Sequence, residues 1–369
     1  MAEFTPAREL ARLFYVEAVR PVLEACYPGL LHSAGLFGHG SEVLGFDTEM
    51  SADHGWGLRV ALYLTDADHA GLAGDLRTAL GHKLPLEFCG WPTHFEDVPD
   101  DPGTSVPRLT GTRPIHHRVE VTTLHAFVRD YIGVELDRDL TALDWLAIPE
   151  QHLRTLADGA VYHDGLDILE PMRRKLAYYP HDVWLYLLSA QWQRIGQEEP
   201  FVGRAGTVGD DLGSAVIAAR LVRDLMRLCL LMERRYAPYP KWFGSAFAQL
   251  KCAGTLTPIL QGVLQASGWQ EREKHLSAAC ELVAAMHNDL GITPPVPAKV
   301  SRFWGRPFWV IGADKIARVI WDAIQDQEVK RLPYGVGKVD QYLDNTDILS
   351  HAKRCRQLSV LYAEKEGEQ

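Results

Sequence analysis

Apolar residues recur at spacings of three and four from about Pro6 to Cys26, through Leu10, Leu13, Phe14, Ala18 and Val22, and this predicts an amphipathic helix. Tyr27-Pro28-Gly29 stops it. Leu30 to Leu36 is a short apolar run, and Gly38-His39-Gly40-Ser41 reads as a turn. From Trp56 to Thr65 the pattern alternates and is rich in Val, Leu and Tyr, which predicts a strand. Asp66 to Leu80 reads as a helix opened by an Asp cap. Leu84 to Trp91 reads as another strand, and Asp97 to Arg113 as a long proline-rich surface loop. Alternation returns at His117 to Thr122. Leu124 to Ile132 then reads as a helix closed by Gly133.

Beyond Gly133 the strand signals nearly vanish. Helical patterns cover about 140–157, 163–177, 181–195, 209–235, 241–265, 270–288, 313–327 and 345–363. The switch predicts an α+β protein with a boundary near 135: a module of strands and helices over 1–135, and a large all-helical domain over 136–369. Thr293-Pro294-Pro295-Val296-Pro297 reads as a loop within the helical domain.

Composition narrows the class. Hydrophobic residues make up 47% and charged residues 23%, the balance of a globular protein and not of a disordered or fibrous one. A formal net charge of −10 argues against nucleic acid as the main partner, while leaving room for a local basic pocket. The start, Met1-Ala2-Glu3-Phe4-Thr5, has no basic and apolar leader pattern. The most apolar stretch, Leu221 to Met232, carries Arg223, Asp224 and Arg227, so no membrane span is expected. Six scattered cysteines without C-x-x-C spacing read as reduced thiols of a cytoplasmic protein.

The candidate chemistry lies in the first module. Nucleotidyltransferases of the polymerase-β type use a Gly-Ser turn that opens a helix and holds a triphosphate. A strand presents two carboxylates at i and i+2, and a neighbouring strand adds a third. The acids hold two Mg²⁺ ions, hard cations that require oxygen ligands. Here Gly40-Ser41 supplies the turn, Asp53-His54-Gly55-Trp56 leads into the strand, and Glu120 stands between Val119 and Val121. An acid between strand valines needs a partner or a metal if it is buried. Each piece has a plain alternative: an ordinary turn at Gly40-Ser41, a turn cap at Asp53, and solvent exposure or an ion pair at Glu120.

Taken together, Gly40-Ser41-Glu42-Val43-Leu44-Gly45-Phe46-Asp47, Ser51-Ala52-Asp53-His54-Gly55-Trp56-Gly57 and Val119-Glu120-Val121-Thr122 resemble a bacterial family of nucleotidyltransferases of unassigned function. Trp184-Leu185-Tyr186, Arg194 to Glu199, Val202 to Gly206 and Pro240-Lys241-Trp242-Phe243-Gly244 extend the resemblance over nearly the whole chain. The resemblance implies a polymerase-β-like fold with a helical domain, as in the aminoglycoside nucleotidyltransferases. It also implies Gly40 and Ser41 on phosphate and Asp53 and Glu120 on Mg²⁺. One departure is plain: the pattern wants an acid where Gly55 stands, and glycine ligates nothing. Asp47 and His54 are the candidate substitutes.

The helical part adds weaker candidates. Glu198 or Glu199 fits a general base toward an acceptor hydroxyl, as glutamates act in the aminoglycoside enzymes; helix-end charge explains them equally. Arg204, within Gly203-Arg204-Ala205-Gly206, reads as a phosphate contact in a glycine-rich loop. Lys241 beside Trp242 and Phe243 fits a nucleobase, or simple core packing. Arg220, Arg223 and Arg227 share one helix face, with Asp224 pairing Arg220 as the plain reading. The expectation is Mg²⁺-dependent transfer of a nucleoside monophosphate from an NTP, ATP first among them, to a small-molecule acceptor. The alternatives are a nucleotide-binding or regulatory pseudo-enzyme, and nucleotidylation of a protein or tRNA.

Overall fold

The computed structural model describes residues 4–52, 55–101 and 104–363. The chain divides into two compact units: 1–139 with 152–177, and 140–151 with 178–369. A mixed sheet with helices in the first and a helical second unit make the protein α+β.

The first unit is built on four strands: β1 (Ser33–Leu36), β2 (Arg59–Tyr63), β3 (Arg118–Thr122) and β4 (Ala160–Asp164). Their order is β3-β2-β1-β4. β2 and β3 run parallel, with Arg59 opposite Arg118 and Ala61 opposite Glu120, while β1 is antiparallel to both β2 and β4. Period-two alternation sorts the side chains. Val60, Leu62, Val119 and Val121 are buried in a core with Leu10 and Phe14 of the first helix and Leu76 and Leu80 of helix Asp66–Lys83. Arg59, Ala61, Arg118 and Glu120 therefore occupy the opposite face, and a cleft forms there.

The first helix runs through Ala7–Phe14, a π-turn at Tyr15–Val19, and Arg20–Cys26. Helix Leu124–Ile132 ends at Gly133 as its sequence predicts. Several expectations are corrected. Asp66 does not cap its helix; Thr65 does, its hydroxyl accepting from the Asp68 N–H at 3.1 Å. The strand expected over Leu84–Trp91 is only a short hairpin, Glu87–Phe88 with Trp91–Pro92. The expected surface loop after Asp97 contains half of a second hairpin, His94–Asp97 with Ser105–Arg108. β4 lies inside the region read as helical. Its residues are all half-buried, so the segment lacks a period that announces a strand, and its partner β1 is far away in sequence.

The second unit is dominated by helices His181–Glu198, Asp211–Met232, Trp269–Asp289 and Ala313–Ala323, the last packed along the first. Trp184, Tyr186, Trp192, Leu225 and Leu228 are buried among them. The continuous helix expected over 140–157 breaks into Ala142–Ala147 and Glu150–Ala157 at Ile148-Pro149, because the residue before a proline avoids helical geometry. No described helix is long and apolar enough to cross a membrane.

Candidate functional site

β1 ends at Leu36, and the chain passes through Phe37 into the Gly38–Gly45 turns. Gly40 has φ +136, and a Cβ there would stand 2.3 Å from Glu42 Oε1. The left-handed φ favours glycine at 40, and with no Cβ there the Glu42 carboxylate folds back over the loop. No helix begins after Ser41; Glu42 O and Ser41 O accept from Gly45 N and Phe46 N in successive turns. The expected helix N-terminus for phosphate is thus absent here.

Glu42 is buried, and Arg59 Nη2 donates to its Oε1 at 2.7 Å. Burial pushes the Glu42 carboxyl up, and the Arg59 charge pulls it back down. The same Arg59 nitrogen donates to the His39 carbonyl, which fastens the glycine loop to β2. Arg59 Nε is buried and has no hydrogen-bond partner among the described residues.

On β3, directly opposite Arg59, Arg118 donates to Ser105 Oγ of the second hairpin and stacks over Phe95 at 5.6 Å. Burial, then the neighbouring Arg59 charge, pull the Arg118 guanidinium down, while Glu42, Asp97 and Glu120 oppose them. Two guanidiniums on facing ladder positions repel unless an anion joins them. Arg59, Arg118, His117 and Glu120 line a cleft of about 240 Å³ together with Leu36 and Phe37.

The sequence candidates fare unequally in this geometry. Glu120 lines the cleft but is exposed, not buried between the valines, because it points to the opposite face from them. Gly40 and Ser41 are tied to the cleft through Arg59 and do not line it. Asp53 and His54 lie outside the described residues. Gly55 is described, and it is not on a strand: it has φ +64 in a turn, its N–H donates to Ser105 O at 2.9 Å, and β2 begins only at Arg59. A Cβ on Gly55 would meet Arg118 Nη2 at 3.4 Å, so a guanidinium stands where the second acid is expected to face a metal. Asp47 is a structural tie, its Oδ2 accepting from Ala7 N at 2.8 Å and Trp56 Nε1 at 2.9 Å. Among the described residues no three His, Cys, Asp or Glu side chains are placed to hold a metal ion. The described carboxylates therefore do not fit a two-Mg²⁺ set.

The helical candidates are elsewhere engaged. Glu199 is buried and accepts from Ile311 N at 2.7 Å and Ala313 N at 3.0 Å; burial raises it to about 7 despite those bonds. Glu198 pairs with Arg220 at 3.0 Å. Asp224 pairs with Arg194, not with Arg220. Arg204 is not in a loop but on helix Phe201–Thr207, exposed over the Phe201 ring. Lys241 is exposed on helix Pro240–Ala248, 5.0 Å from the Trp242 ring.

Sequence reasoning passed over Glu42, Arg59 and Arg118. Glu42 directly follows the Gly-Ser pair, and Arg59 and Arg118 are charges at the outward positions of alternating strands, which is a visible signal.

Residues 145–243 match a family described as a domain of unknown function, DUF4037. No curated protein matches the chain. Among solved structures, a nucleotidyltransferase-like protein from Exiguobacterium sibiricum 255-15 is similar at 11% identity, over 77% of this chain and 78% of that one, with a TM-score of 0.32.

Proposed function

We propose that the cleft over strands β2 and β3, beside Leu36 and Phe37, binds the phosphates of a nucleoside triphosphate, ATP first among the candidates. The observation that carries this reading is the pair of guanidiniums, Arg59 and Arg118, directly opposite each other on the β2–β3 ladder and lining one cleft. A guanidinium presents a fork of donors that suits a phosphate, and an anion between two such forks relieves their mutual repulsion. Glu42 holds Arg59 from behind through Nη2. Leu36 and Phe37 add apolar side chains to the cleft lining.

Transfer of the nucleoside monophosphate to a small-molecule acceptor is the second reading, favoured by Glu120, an exposed acid two residues from Arg118 in the same cleft. Mg²⁺ carried in with the NTP would neutralise charge on the α-phosphate in such a transfer. Glu120 joined by Asp53 is the donor set that reading needs. The Arg118 guanidinium beside Gly55 favours binding without transfer.

The test is calorimetric titration of each NTP, with and without Mg²⁺, into wild type and Arg118→Gln, followed by turnover of α-labelled NTP with a pool of hydroxyl and amine metabolites. Expected is saturable NTP binding that weakens about tenfold in Arg118→Gln. Binding unaffected by Arg118→Gln rejects the cleft. Labelled product in wild type that is lost in Glu120→Gln selects transfer over binding alone.

A further inference from the structure

A second set of charges is buried in the helical unit, and the nucleotide cleft has no use for it. Arg227, on helix Asp211–Met232, has a side chain only 10% exposed. Its Nη1 donates to Glu150 Oε2 at 2.8 Å. Glu150 also accepts from the Tyr179 hydroxyl at 3.2 Å, and its backbone N–H donates to Asp340. Asp340 in turn pairs with the buried Lys338 at 3.2 Å. Two buried carboxylates are thereby matched by two buried cations. Lys338 spends its remaining contacts on Ile148 O and the Tyr179 oxygen.

Two members of this balanced network, Arg227 and Asp340, line a cavity of about 220 Å³. Arg227, Arg223, Asp340, Tyr239 and Phe243 line it. The wall is aromatic: the Arg227 guanidinium lies 5.8 Å from the Phe243 ring centre. Arg223 adds a second guanidinium, paired at 3.0 Å with Asp344, which is 80% exposed, so solvent screens that pair and a ligand can compete for the guanidinium. Arg227 makes one ion pair through one nitrogen, and its other donors are not among the buried nitrogens that lack partners.

Two guanidiniums and a ring wall select by charge and shape. A cationic ligand meets Arg223 and Arg227 unfavourably. A compact tetrahedral anion leaves the ring wall uncovered. A planar monoanion satisfies both: its carboxylate takes a guanidinium fork, and its ring lies against Phe243 and Tyr239. We propose that this cavity is a binding site for a small aromatic carboxylate. It is independent of the nucleotide cleft, since every residue it uses belongs to the helical unit.

Benzoate is the probe, with benzamide as its neutral isostere, benzylamine as its cationic counterpart and inorganic phosphate as the non-planar anion. Each is titrated calorimetrically into the full chain and into Arg223→Gln, Phe243→Leu and, as a control in the other unit, Glu120→Gln. Arg223 is half-exposed and Phe243 makes no hydrogen bond through its ring, so both variants should fold; circular dichroism checks this. Expected is benzoate binding near ~1 mM or tighter, the range a ligand of this size reaches. Benzamide should bind at least about tenfold more weakly, and benzylamine and phosphate not measurably. Arg223→Gln and Phe243→Leu should each weaken benzoate about five- to tenfold, and Glu120→Gln should leave it unchanged. Equal binding of benzoate and benzamide overturns the proposal. So does absence of benzoate binding, preference for phosphate, or affinity unchanged in both cavity variants. Failure of NTP to bind the first unit has no bearing on these outcomes.

Discussion

Replacing Gly55 by Asp separates the two readings of the cleft. In the nucleotidyltransferase pattern the new acid restores a metal ligand. In this structure it meets a guanidinium: a Cβ at 55 lies 3.4 Å from Arg118 Nη2 and 3.6 Å from Nη1. Two effects on stability oppose each other. A non-glycine at φ +64 costs about 1–2 kcal/mol, toward the low end for Asp, which tolerates left-handed backbone. A new charge-assisted bond to the half-buried Arg118 returns about 1.5–3 kcal/mol at most. Stability should therefore lie between about 0.5 kcal/mol below and about 2 kcal/mol above wild type, within a few degrees of Tm for a chain this size. Ligand binding should change far more, because the carboxylate neutralises one of the two phosphate forks. NTP affinity should fall about tenfold or more. Gly55→Ala is the control: it keeps the backbone strain, lacks the charge, and should lower stability while leaving NTP affinity near wild type. The assays are thermal unfolding and calorimetric NTP titration with and without Mg²⁺. Tighter Mg²⁺-dependent NTP binding in Gly55→Asp would falsify this reasoning, since the acid would then face a metal and not Arg118.

Arg59→Met strands Glu42, a buried carboxylate, and should destabilise the fold by about 3–5 kcal/mol in urea unfolding; adding Glu42→Leu should recover much of that without recovering NTP binding. Asp47→Ala removes two bonds from one oxygen and should cost about 1–3 kcal/mol while sparing NTP affinity; lost affinity with intact stability would return Asp47 to the site. Glu120→Gln, on an exposed side chain, should shift stability by less than about 0.5 kcal/mol, so any loss of Mg²⁺-dependent turnover reports chemistry and not folding. Burial raises Glu199 to about 7 in the folded protein, above its unfolded value of 4.5. The folded state therefore holds that proton more tightly, and the contribution of Glu199 is full below about pH 4.5 and falls as pH rises toward 7. Urea unfolding of wild type against Glu199→Gln should show a difference that shrinks over that window; a pH-independent difference refutes the assignment.

Elements whose signal is local could be read directly from the chain. The helices Ala7–Cys26 and Leu124–Ile132 show themselves by three- and four-residue spacing and by Gly133, which reaches the left-handed geometry that ends a helix. Strands β2 and β3 show themselves by alternation, which puts Arg118 and Glu120 on one face of β3; the pairing of β2 with β3 brings Arg59 beside them. What alternation does not reveal is which face is covered. Glu120 between two valines reads as buried, yet the valines go to the helix core and the acid goes to the cleft. β4 has no periodic signature because it is half-buried throughout, and only pairing with β1 makes it a strand. Gly40 and Gly55 were visible as glycines, and the tertiary structure assigned their purposes. One clears space for Glu42; the other keeps a left-handed turn beside Arg118. The same holds for Glu199, whose local context suggests a base and whose two backbone partners lie more than a hundred residues away. Local spacing fixes which residues share a face; what that face meets is decided by segments distant in sequence, and the partners of a buried charge belong to that second kind of information.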